Sequence, residues 1–167
     1  TILGQKGTAG VLNTIINEPF TVPLDCQPYP VEIRELSPGP YKLPFPLDCR
    51  FLLHASPCLG CRLELDGKII AYIPDTGPCE NAVLLAEDAD LIIAECAFLP
   101  GEKSEAWPHL TPQDAADIAR QARAKQLALT HFDAGRYTSL QMRHQAAATA
   151  EGFSHIMVAE DEMVLHL

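Results

Sequence analysis

At 167 residues and 18.2 kDa the chain has the size of one ordinary domain, long enough to close a core and too short for two full ones. It is 47% hydrophobic with a mean hydropathy of +0.03, a balance that excludes native disorder. Twelve Lys and Arg against 22 Asp and Glu give a formal charge of -10 and a pI of about 4.9, which opposes loose binding to a polyphosphate backbone. Nucleic acid is thereby disfavoured as a general partner, although a metal site supplies positive charge where side chains do not. No apolar run approaches the roughly 18 residues that cross a bilayer, and the segment from Thr1 to Gly7 lacks the basic and apolar regions of a signal peptide. The expectation is a soluble, cytoplasmic protein forming a single domain over residues 1–167.

In chain order, Thr8 reads as the cap of a helix whose Val11, Leu12, Ile15 and Ile16 share one face. Nine of the 14 prolines fall between Pro19 and Pro57 and break that region into short extended pieces such as Val31 to Leu36. Strands are predicted from Arg50 to His54 and from Gly60 to Leu65, and the Asp66-Gly67 pair turns the latter back into Lys68 to Ile73 as an antiparallel hairpin. Strand and helix then alternate: a helix at Glu80 to Ala86, a strand at Leu91 to Ala94, a helix at Pro112 to Ala124 and a strand at Gln126 to Thr130. Thr111-Pro112-Gln113-Asp114 fixes one helix start with a capping residue, a proline at the first helical position and an acid in the first turn. A last helix at Ser139 to Ala150 precedes strands at Ile156 to Val158 and Met163 to Leu167.

Six cysteines, Cys26, Cys49, Cys58, Cys61, Cys79 and Cys96, read as reduced thiols in this context. Cys58-Leu59-Gly60-Cys61 is a C-x-x-C that with Cys26 and Cys49 would offer four zinc donors, but the outer pair lacks ligand spacing.

Three polar groups stand at the ends of apolar strands: His54 after Phe51-Leu52-Leu53, Asp75 after the run ending Ile73-Pro74, and His131 after Leu127 to Thr130. Ligands gather at such strand ends because the loops there vary without disturbing the core. Imidazole and carboxylate suit zinc, manganese or iron, and a carboxylate can bridge two cations. Singly, each residue also fits a plain structural role, as a hydrogen-bonded rim histidine or as the start of the Asp75-Thr76-Gly77-Pro78 turn.

Together four segments resemble, in order and spacing, the metallo-β-lactamase superfamily: Tyr72 to Gly77, Ala89 to Phe98, His109 to Pro112 and Leu127 to Phe132. The branch they resemble is the ribonuclease Z group and related phosphodiesterases, and the segment from His54 to Glu64 is similar to one in which a histidine ligand leads into a Gly-aromatic-Arg strand, with Cys61 at the aromatic position. This resemblance implies an α/β fold, an αββα sandwich of which the chain holds the C-terminal two-thirds. It implies a site for two zinc ions, or manganese or iron, in which Asp75 bridges, His54 binds one ion and His131 the other. It further implies that His109 protonates the leaving oxygen with Glu95 in support, and that the reaction is metal-dependent hydrolysis by an activated hydroxide. His144, His155 and His166 match no motif.

Two departures bear on function. The family's main ligand motif, H-x-H-x-D-H, is absent, which leaves each ion one private side chain plus a shared carboxylate and predicts that an apolar sheet face needs cover from a missing half or a second copy. The long arm that transfer-RNA-processing members insert between the two hairpin strands is replaced by Asp66-Gly67. With the charge of -10, that favours a small phosphodiester or ester over RNA. The alternative from another class is a non-catalytic scaffold or partner-binding module that kept the fold.

Overall fold

The computed structural model describes residues Thr1–Leu167, which divide after Pro38 into two units. In the first, strand β1 (Ile2–Gln5) pairs in parallel with β2 (Ile33–Leu36), and helix α1 (Thr8–Ile15) lies between them in sequence. Thr8 is not the cap. Gly7 occupies that position with φ 97°, Thr8 Oγ1 donates to the Gln5 carbonyl, and Oε1 of Glu35 accepts from the amides of Gly7 and Ala9 at 3.0 Å each. A carboxylate at a helix start satisfies otherwise orphaned amides and meets the positive end of the helix dipole, so Glu35 does what a capping hydroxyl would have done.

The second unit, Gly39–Leu167, is built on a seven-stranded sheet whose spatial order follows the chain: β3 (Gly39–Lys42), β4 (Pro46–Phe51), β5 (Leu59–Leu65), β6 (Lys68–Ile73), β7 (Leu91–Glu95), β8 (Leu127–Thr130) and β9 (Ile156–Val158). Pairing is antiparallel from β3 to β6 and parallel from β6 to β9. Asp66 and Gly67, both at positive φ (49° and 76°), make the two-residue turn between β5 and β6, a geometry matched to the right-handed strand twist. Parallel pairing requires crossovers, which helices α2 (Glu80–Ala86), α3 (Pro112–Gln121) and α4 (Leu140–Ala147) provide. They lie side by side, α2 over β4 to β6, α3 over β7 and β8, α4 on β9.

Side-chain alternation sorts the sheet into two faces. Ala71, Ile73, Ile92, Ala94, Leu127 and Leu129 point to the helices and are buried with Leu85, Ala115 and Ile118. The other face carries a row that register aligns across six strands: Cys49, Cys61, Tyr72, Ile93, Ala128 and Met157. At the N-terminal end of β7, Asp90 clasps the sheet: Oδ2 accepts from the Ile69 amide at 2.9 Å and Oδ1 from Lys125 Nζ at 2.7 Å.

Helix α3 starts as its sequence requires. Thr111 Oγ1 accepts from the Asp114 amide at 3.2 Å and Asp114 Oδ2 from the Thr111 amide at 3.0 Å, a reciprocal capping box. The expected strand from Met163 to Leu167 is not formed: these residues have no regular structure and Val164 is 73% exposed. Alternation alone cannot make a strand without a neighbouring edge to pair with. No helix is long and apolar enough to cross a membrane.

Candidate metal centre

The site forms at the end of the sheet where β4, β6, β7 and β8 all finish. Asp75 lies two residues past β6, Glu95 ends β7 and His131 follows β8 directly. His54 sits in the connection between β4 and β5, pinned by a bridge between Leu53 and Gly77 in which the Gly77 amide donates to the Leu53 carbonyl at 2.7 Å. His109 precedes the α3 cap. The segments are thus held by the sheet and by a helix start, while their side chains project into one space.

Within that space the two oxygens of Asp75 face two different imidazoles. Oδ1 is 3.4 Å from Nδ1 of His131, and Oδ2 is 3.9 Å from Nε2 of His54. The His109 ring stands between the other two, its centroid 5.1 Å from that of His54 and 5.9 Å from that of His131. His131 takes φ 50°, the left-handed region that side chains rarely adopt, and that backbone turns the chain sharply at the strand end. All five residues singled out in the sequence, His54, Asp75, Glu95, His109 and His131, are therefore brought together.

Hydrogen bonds fix which ring nitrogens are free. Nδ1 of His54 is 3.2 Å from the Pro108 carbonyl, which can only accept, so Nδ1 donates there and Nε2 is the ring nitrogen turned toward Asp75. His109 Nδ1 lies 2.6 Å from Oε1 of Glu95, which likewise leaves Nε2 available. Glu95 is 1% exposed, and besides the imidazole it accepts the amides of Thr76 (2.9 Å), Ala97 (2.8 Å) and Leu110 (3.3 Å). Donor atoms of Glu95, His109 and His131 lie within 4.8 Å of one another, the spacing of a metal-binding trio. With its oxygens already committed to four donors, Glu95 is better suited to hold the loops and orient His109 than to bind an ion.

Neighbouring groups register the negative charge here. Burial first, then the carboxylates of Asp75 and Glu95, push the Cys58 thiol up to about 11, and burial with Asp75 raises the Tyr72 phenol. Two imidazoles and a carboxylate with one oxygen toward each are a donor set that fits zinc, manganese or iron.

Several contributors were hidden in the sequence. Thr76 is fully buried: its Oγ1 accepts from the Leu53 amide at 3.1 Å and donates to the Gly77 carbonyl at 2.7 Å, which couples the His54 loop to the Asp75 loop. The turn-like string Asp75 to Pro78 gave no sign of this. Trp107, 56% exposed, sets its ring edge-on to His54 at 5.3 Å between centroids. Arg136 lies over Phe98 at 5.1 Å and donates to Glu102 at 2.9 Å, Tyr137 donates to the Phe98 carbonyl at 2.6 Å, and the Phe98 ring meets His109 at 5.4 Å. The loops after β7 and β8 are thereby tied together. Cys49 and Cys61 oppose each other with sulfurs 3.6 Å apart, yet no cysteine joins the metal-binding trio.

Comparisons with known proteins carry the same fold. The family profile described as "Beta-lactamase superfamily domain" matches residues 9–132. Ribonuclease Z of Thermobifida fusca is 40% identical over 124 residues, which is 68% of this chain and 37% of that protein. Ribonuclease Z of Bacillus licheniformis is 47% identical over 70 residues, covering 41% of this chain and 23% of that protein. The aligned part amounts to about a third of the length of these curated relatives or less. Among solved structures, human tRNase Z, short form, has a TM-score of 0.70 at 23% identity and covers 99% of this chain and 66% of its own. The metallo-beta-lactamase fold protein YhfI from Bacillus subtilis has a TM-score of 0.70 at 21% identity, covering 95% and 61%. Both neighbours are larger than this chain, and they share its α/β architecture with a mixed sheet.

Proposed function

This chain belongs to the beta-lactamase superfamily, and on that premise we propose that it supplies one side of a metal-dependent phosphodiester-hydrolysing centre. Divalent cations, zinc in the first instance, would be held by Asp75 together with His54 and His131. The observation that carries the reading is the split of the Asp75 carboxylate, Oδ1 toward His131 at 3.4 Å and Oδ2 toward His54 at 3.9 Å. Bound there, divalent cations supply Lewis acidity toward a phosphoryl oxygen and acidify water. A catalytic zinc takes about three protein ligands. The centre therefore needs donors beyond these three, and a chain lacking them binds metal weakly.

The remaining steps belong to the chain's own residues. As water adds to phosphorus and gives up a proton to solvent, the P–O bond to the leaving group breaks, and Nε2 of His109 gives that oxygen a proton that the ring regains from solvent. Glu95, accepting from Nδ1, holds the ring in place and leaves Nε2 for the leaving oxygen. The substrate is a small phosphodiester rather than RNA: the formal charge of -10 opposes a polyanion, and the two-residue turn between β5 and β6 leaves no arm to grip one. Likeness to ribonuclease Z proteins supports a phosphodiester as the class.

Zinc and manganese titrations of the native chain and of Asp75→Asn, His54→Ala and His131→Ala, with hydrolysis of bis-p-nitrophenyl phosphate followed in parallel, test this. Each variant is expected to lose at least tenfold in metal affinity. Equal metal binding by all four proteins overturns the reading. The rival, a non-catalytic scaffold that kept the fold, expects both histidine variants to leave metal content unchanged and stability within about 0.5 kcal/mol.

A further inference from the structure

A cavity of about 390 Å³ opens beside His109, which forms part of its wall. Its volume is at the lower end of the range of small-molecule sites, room for one ring system with its sugar and not for a folded strand. Leu53, Pro78 and Pro108 make the apolar lining, and Leu53 is 51% exposed although its backbone is fixed by Thr76 and Gly77. Gly77 lets these walls meet: a Cβ there would lie 2.8 Å from Cβ of Pro108. Two prolines and a pinned loop make the cavity preformed, so little ordering entropy opposes an occupant.

The polar lining is acidic. Glu102, Glu105 and Asp114 stand against a single cation, Lys103. Asp114 is committed to the Thr111 cap, and Glu102 to Arg136 and the Leu99 amide. A phosphate is repelled from such a lining, whereas a flat uncharged ring meets apolar walls on several sides. Position completes the argument. The proton donor to a leaving oxygen must lie within hydrogen-bond reach of it, so the rest of the leaving group occupies whatever space adjoins the donor. Next to His109, that space is this cavity.

We propose that the cavity bounded by Leu53, Pro78, Pro108 and His109 is the leaving-group site, and that it selects a flat uncharged ring, the base of a nucleoside or a simple aryl group, over a charged group. This rests on the phosphodiesterase reading above. Its test does not, because it measures ring binding in the absence of metal.

In EDTA, adenosine, p-cresol and AMP are titrated against the chain. The readout is fluorescence of Trp107, the single tryptophan, whose ring centroid is 6.5 Å from that of His109, with saturation-transfer NMR as a second measure. Adenosine or p-cresol is expected to saturate in the millimolar range or below, the tighter of the two identifying the source of the ring. AMP is expected to bind at least fivefold more weakly than adenosine. Leu53→Asp should weaken both rings at least tenfold, and Leu53→Asn, which adds no charge, should act in the same direction if the aspartate variant does not fold. Absence of binding by either ring, unchanged binding in both folded Leu53 variants, or AMP as tight as adenosine overturns the proposal. Metal binding by the chain with no ring binding in EDTA overturns this inference and leaves the phosphodiesterase reading standing, whereas ring binding in EDTA by a chain that fails the metal titrations above overturns that reading and the leaving-group role with it, and leaves a ring-binding cavity.

Discussion

Oε1 of the fully enclosed Glu95 lies 2.6 Å from Nδ1 of His109 and also takes the amides of Thr76 and Leu110, so one carboxylate ties the loop after β6 and the segment before α3 to the end of β7. Glu95→Gln keeps the shape but turns an NH₂ toward at least one of these donors, with the Ala97 amide on the other oxygen. A buried donor left without its acceptor costs about 1–3 kcal/mol. Urea denaturation of the variant is expected to show that loss, and a midpoint equal to that of the native chain would mean that the carboxylate is not needed.

Acid should loosen the opposite end of the sheet. The Lys125 ammonium and the Ile69 amide hold the Asp90 carboxyl below the usual carboxylate range. Its folded pKa is thus depressed relative to the unfolded chain, so its contribution is complete above the unfolded value of about 4 and is lost as pH falls through the folded one. Thermal midpoints measured from pH 6 down to pH 2.5 should fall less steeply for Asp90→Asn than for the native chain, the variant starting lower at pH 6.

Gly77 is constrained by space. The Cβ of Gly77→Ala would meet Pro108 Cβ at 2.8 Å and Leu53 Cδ2 at 3.5 Å, and a proline ring cannot swing aside. Overpacking of this kind costs about 1–3 kcal/mol. Differential scanning calorimetry is expected to report it, together with a shift of the His54 and His109 ring resonances in NMR spectra, since Pro108 links the two histidines.

Thiol reactivity should separate the cysteines by depth. Burial pushes Cys49 and Cys96 up to about 12, whereas Cys26 is exposed. At pH 8 a thiol with a pKa of about 12 is thiolate in only about one part in ten thousand. Iodoacetamide followed by peptide mass spectrometry is expected to modify Cys26 and spare Cys49 and Cys96 until the chain is unfolded. Early labelling of Cys96 would contradict its burial beneath the helices.

The hairpin of β5 and β6 was legible because Asp66-Gly67 admits one compact turn, and α2 and β9 matched their predicted bounds because periodicity and punctuation agreed. Strand β3 was not, since Pro40 reads as a break. It lies at the sheet edge, where a proline's missing amide removes no obligatory bond. The meeting of His54, Asp75 and His131 could be expected from their strand-end positions. Trp107 and the buried Thr76 could not, because loop contacts of that kind leave no period in the sequence, and Glu35 capped α1 from 26 residues beyond Ala9, out of range of any local pattern.

Each strand of the larger sheet pairs with the one made just before it, from β3 through β9. During synthesis the sheet can therefore be extended rung by rung as polypeptide leaves the ribosome, without reserving a gap for a strand still to come. His54 and Asp75 are in place as soon as β6 has zipped onto β5, Glu95 and His109 arrive with the next crossover, and His131 comes last with β8. Premature stalling would thus leave a paired sheet with an unfinished site, a species that hydrogen exchange on chains truncated after Gly77 and after Glu95 would capture.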